Sequence, residues 1–164
     1  MSVVAALSVA LSWATVLAPQ ASAAPDTFFS YSGETPLSSI APGTVLASRS
    51  LSYHVSGSAT EVTAVQLLYR TTDSLNRPTI NVTSVLKPAG GTDGGKAIAY
   101  QSYYDSLSPE HGPSRVIAGG VSFGGMIVDS EETMIRRFLG EGYTVIVADT
   151  EGQTANFAAG PEYG

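Results

Sequence analysis

The chain has 164 residues, room for one domain by length alone. Fourteen acidic residues against eight basic ones leave a formal net charge of −6, which argues against nucleic acid or an anionic membrane surface as a partner, since both need basic patches. There is no cysteine, so disulfides, thiolate metal sites and cysteine nucleophiles are excluded; two histidines, His54 and His111, are too few for a multi-histidine metal site, and no cofactor is expected. With 43% hydrophobic and 13% charged residues, the composition is that of a folded chain rather than a disordered one.

Residues 1–23 read as a secretory signal peptide. An uncharged apolar run from Ser2 to Ala18 is followed by Ala21-Ser22-Ala23, a small-x-small cleavage site. The run is slightly short for a membrane span. The expected location is therefore outside the cell or in its envelope. Residues 24–42, rich in Pro, Ser and Gly, read as an irregular N-terminal arm ahead of a domain over 43–164.

That domain opens with β-forming segments. Val45–Val55 reads as a strand. In Ala59–Thr72, Val65, Leu67 and Tyr69 alternate against Gln66, Leu68 and Arg70. After a turn at Asp73–Pro78, Ile80, Val82 and Ser84 alternate against Asn81, Thr83 and Val85. Together these predict a short antiparallel meander. Asn81-Val82-Thr83 also fits the N-glycosylation pattern, although it falls in a strand. A glycine-rich loop leads to a short strand at Lys96–Gln101 and then a tyrosine-bearing loop. Val116-Ile117-Ala118 is a candidate strand. One helix is predicted from Asp129, as N-cap with Glu132 closing a capping box, to Gly140 and Gly142. Met134, Ile135, Phe138 and Leu139 form its apolar stripe. Tyr143–Ala148 reads as a parallel strand buried on both faces, ending at Asp149. A meander running into strand–helix–strand predicts an α/β sheet with crossover connections.

Gly120-Val121-Ser122-Phe123-Gly124 fits G-x-S-x-G, the nucleophile elbow of serine hydrolases. The elbow needs a strand before the serine and a helix directly after it, and in α/β-hydrolases the acid and the histidine follow the serine. Both histidines precede Ser122, and the predicted helix starts only at Asp129. Ser122 therefore reads as a decoy. Asp149 and Glu151 lie where open α/β sheets bind ligands, beyond the carboxyl end of a strand, and a plain polar exit into a turn explains them equally well. His54 and His111 read as strand and loop residues.

Several segments, in order, resemble the secretory lipases, the lipase A-like branch of the α/β-hydrolases. They are Gln66–Asp73 with the return strand Val82–Pro88, Ala99–Ser106 with Pro113-Ser114, and Gly142–Gly152 with Ala155–Gly160. The likeness covers most of residues 26–164 and matches the N-terminal part of that family only. It implies an incomplete α/β-hydrolase sheet and hydrolysis of carboxylic esters, acylglycerols included, by a serine nucleophile without a cofactor. The substrate would be an ester or lipid, with transient contact to a lipid interface and no stable protein partner. It also implies that Asp105 contributes to an oxyanion hole, through its backbone N–H or a protonated carboxyl. The family's own elbow and the rest of its triad fall after Gly164, so the chain alone is expected to be inactive and prone to aggregate. Two other readings stand beside this one: a non-catalytic secreted binding or structural domain derived from a hydrolase, and a small serine hydrolase using Ser122.

Overall fold

A computed structural model describes residues 26–55, 61–91, 95–102, 111–119 and 126–150, with backbone only for 126–130. Among the described residues five strands form one sheet: β1 (Val45–Tyr53), β2 (Val62–Thr72), β3 (Pro78–Lys87), β4 (Ala97–Tyr100) and β5 (Thr144–Ala148). The described helices α1 (Pro113–Ile117) and α2 (Met126–Gly140) lie between β4 and β5 in the chain. The strand order is β1-β2-β3-β5-β4. The first three strands are the expected antiparallel meander, β5 adds antiparallel to β3, and β4 pairs parallel to β5 at the sheet edge.

The turn between β2 and β3 is built by Asp73. Its Oδ1 accepts the backbone N–H groups of Leu75 and Arg77 at 3.0 and 2.7 Å. Asn76 takes the left-handed region at φ 59°, which Asn tolerates better than most residues.

One face of the sheet is covered. Ala64 and Leu68 of β2, Val82 and Leu86 of β3, and Val145 and Val147 of β5 are all buried on it. At one end Ile117 of α1 and Ile135 and Leu139 of α2 pack against this face together with Tyr53 and Val55. At the other end Phe29 packs on Leu68 and Val82. The covered face thus carries Gln66 and Ser84, while Val65, Leu67 and Val85 point to the opposite, half-buried face. Strand alternation was legible in the sequence; the choice of inner face was set by the helices and the arm.

The arm is more ordered than its composition predicts. It holds two 3-10 turns, Thr27–Phe29 and Leu37–Ser39. The Asp26 side chain caps the first turn through the Phe28 N–H at 3.1 Å. Arg49 of β1 clamps it, with its guanidinium 4.2 Å from the Phe28 ring centroid and Nη1 2.6 Å from Asp26 Oδ2. Arg115 of α1 lies 3.9 Å from the Phe29 ring centroid. Burial raises the Asp26 pKa, but bonding to Arg49 and to the Phe28 N–H, with the positive charge of Arg49 and Arg115, leaves it below the usual carboxylate value.

Four expectations are corrected. Val116 and Ile117 belong to helix α1, not a strand. Helix α2 starts at Met126, so Asp129 lies inside it rather than capping it. Its buried side is Glu132, Ile135 and Leu139, with Met134 43% exposed. β5 is buried on alternate residues only, because one sheet face carries the described helices. Helix α2 ends at Gly140, as expected, and its C-terminus forms a Schellman motif. Tyr143 N–H reaches Phe138 C=O at 3.0 Å and Gly142 N–H reaches Leu139 C=O at 3.1 Å. Gly142 takes φ 80°, and the rings of Phe138 and Tyr143 meet edge-on at 6.2 Å. Among the described residues no helix is long and apolar enough to cross a membrane.

Candidate functional site

The parallel pair β4 and β5 gives the sheet one end where two carboxyl termini lie side by side, the usual position of a site in an open α/β sheet. Beyond β4 the chain continues through Gln101 and Ser102, and it returns at His111-Gly112 into α1. Ser102 and His111 both line a mainly apolar cleft of about 50 Å³, walled by Tyr53, Tyr100, Pro113 and Glu132. The two described residues that flank 103–110 thus both lie at the cleft. Asp105 falls within 103–110, outside the described residues, as do Ser122 and Glu151.

The polar chemistry of the cleft comes from Tyr53 and Glu132. The Tyr53 hydroxyl donates to Glu132 Oε1 at 2.6 Å, both residues being buried. Burial, and then bonding to and the charge of Glu132, push the Tyr53 pKa far above its ordinary value, so the phenol stays a donor. This contact also explains why the capping-box reading of Glu132 fails: its carboxylate is used by a strand far away in the sequence.

Asp149 directly follows β5, at the carboxyl end of that strand. It is 4% exposed, and its carboxylate accepts the Ser114 N–H at 2.9 Å and the Ser114 hydroxyl at 2.5 Å. Ser114, fully buried, is the second residue of α1, whose N-cap is Gly112 and has no side chain to offer. The Ser114 carbonyl accepts from Gln66 Nε2 at 2.6 Å, and the same amide reaches Ser84 Oγ at 3.0 Å. Gln66 Oε1 accepts from Arg49 Nε at 2.9 Å. On the other side, Asn81 Nδ2 donates to the Asp149 carbonyl at 2.8 Å. Buried polar groups joined in this way avoid the cost of unmade hydrogen bonds. Asp149 follows β5, as the sequence predicts, whereas Gln66, Ser84 and Ser114 were not singled out by the sequence as site residues. For Gln66 and Ser84 the only signal was a polar residue on one face of an alternating strand; Ser114, in α1, lies outside that pattern.

The G-x-S-x-G segment lies between helix and helix: α1 ends at Ile117 and α2 begins at Met126. The early start of α2 removes one objection to an elbow at Ser122, and the helix in place of a strand before it supplies a stronger one. Among the described residues no three His, Asp or Glu side chains gather as a metal site.

No family model matches the chain. Individual relatives do. A Mycobacterium tuberculosis protein named as a probable inactive lipase is 38% identical over 114 residues, 68% of this chain and 26% of that protein. A secreted triacylglycerol lipase of Malassezia globosa is 36% identical over 126 residues, 75% of this chain and 27% of that protein. The crystal structure of Candida antarctica lipase A superposes with a TM-score of 0.65 at 26% identity, covering 79% of this chain and 30% of that one. The mixed sheet is therefore part of an α/β-hydrolase fold. On sequence and fold together, the chain belongs to the lipase A-like family of α/β-hydrolases, and it spans between 26% and 30% of the length of these three relatives.

Proposed function

We propose that this chain is the N-terminal part of a secreted lipase or carboxylesterase that cleaves lipid esters with a serine nucleophile. The observation that carries the reading is the sheet itself. The sheet, in the order β1-β2-β3-β5-β4, belongs to a chain that superposes on a lipase A, and Tyr100 and Val147 of its parallel β4–β5 pair line a cleft with residues of both helices. In such chemistry the serine hydroxyl oxygen attacks the ester carbonyl carbon, the alcohol leaves with a proton, and water then releases the acid from the acyl-enzyme. The oxyanion formed at each step needs donors fixed in advance. Asp105, in the connection between Ser102 and His111, is our candidate for one of them. Export is supported by the leader-like residues 1–23 and by the relative named as a secreted lipase.

Sequencing the source transcript past the codon for Gly164 tests this reading. It predicts an open frame with G-x-S-x-G, then an aspartate and a histidine; an immediate stop codon overturns it. A second reading, a non-catalytic domain derived from a hydrolase, is favoured by the relative named as inactive. Assay with p-nitrophenyl butyrate and a fluorophosphonate probe addresses the chain as it stands. We expect neither turnover nor labelling. Labelling that disappears in Ser122→Ala would instead make Ser122 a nucleophile.

A further inference from the structure

The structure assigns Asp149 as a positioning residue for the cleft: through Ser114 it fixes the start of α1 and, with it, the wall formed by His111 and Pro113. The first turn of a helix exposes backbone N–H groups that a side chain at the N-cap usually satisfies. Here the N-cap is Gly112, so none is available locally. The cap comes instead from the end of β5, where the Asp149 carboxylate takes both the N–H and the hydroxyl of Ser114. Asp149 is itself held from two sides. Its N–H donates to the Val82 carbonyl at 3.0 Å, and its carbonyl accepts from Asn81. Ser114 is held in turn by Gln66. The wall of the cleft is thereby bolted to the central strands rather than left to a short helix. This rests on the ester-hydrolase reading only in that the connection ending at His111 would carry Asp105.

Backbone hydrogen exchange of the full chain tests it, with Asp149→Ala, Asp149→Asn and Ser114→Ala variants. Asp149→Ala is expected to speed exchange of residues 111–118 by about tenfold or more, the size of losing a hydrogen bond to a charged group. Amides of β2 and β3 should keep their protection. Asn retains an oxygen that accepts the Ser114 N–H, so Asp149→Asn should recover most of that protection, which a role in packing alone would not explain. If Asp149→Ala unfolds the chain, Ser114→Ala, which deletes one hydroxyl, should still show the local effect at several-fold. Uniform loss of protection across the sheet in both alanine variants, no change at 111–118, or an Asn variant no better than Ala would overturn the assignment. Exchange is read without catalysis, so failure of the hydrolase reading at the transcript leaves this result separately visible.

Discussion

At the scale of single residues, several charged side chains of this sparsely charged molecule are set against aromatic rings or other polar groups. Arg49 is shared between Phe28, Asp26 and Gln66, and a lysine could not reproduce that stack and fork together. Tyr53 and Glu132 are the corresponding buried pair at the cleft. Replacing Tyr53 with Phe leaves a buried carboxylate without its donor, and should cost about 1–3 kcal/mol in urea denaturation. The pH dependence has a definite sign. Because the folded Tyr53 pKa is raised above the ordinary value of 10.0, its contribution is complete below pH 10 and falls as the pH rises beyond that. Alkaline melting curves should therefore fall more steeply for the wild-type protein than for Tyr53→Phe. A steeper loss in the variant would count against the bond.

At the scale of elements, the C-terminus of α2 is the clearest case of sequence chemistry setting structure. Gly142 occupies a left-handed position that any Cβ disfavours, so Gly142→Ala should lower stability by about 1 kcal/mol, measurable as a shift in the urea midpoint at constant slope. This end was legible because a Schellman motif is local. The start of the same helix was not. Asp129 and Glu132 have the spacing of a capping box, yet Glu132 bonds Tyr53, a partner 79 positions away. The strands were legible from alternation, and their inner face was hidden because Gln66 and Ser84 sit there, excused by Ser114 of a distant helix. Of the site, the sequence showed the carboxyl end of β5 and Asp149; the cleft walls required the fold, since Tyr53, His111 and Glu132 come from three separate parts of the chain.

For the whole molecule, the described sheet has two edges, β1 and the short β4. An unpaired edge is a template for another chain. Ala99, exposed on β4, is a suitable place to test this, and Ala99→Lys should reduce self-association in light scattering without changing the melting temperature by more than a few degrees. Equal association of the two proteins would place the sticky surface elsewhere, the half-buried face of Val65, Leu67 and Val85 being the next to examine. The position of β5 between β3 and β4 has a further effect, on the order of events during synthesis. β4 is made before both helices, yet among the described strands it pairs only with β5, the last to be made. A ribosome adding about 5–20 residues per second releases the meander first, complete in its own pairings. β4 must then wait, unmatched, while α1 and α2 are translated. The parallel half of this sheet is therefore assembled late and from its C-terminal side, and a pause in translation between Tyr100 and Thr144 would prolong the interval in which β4 is open to chaperones or to another nascent chain.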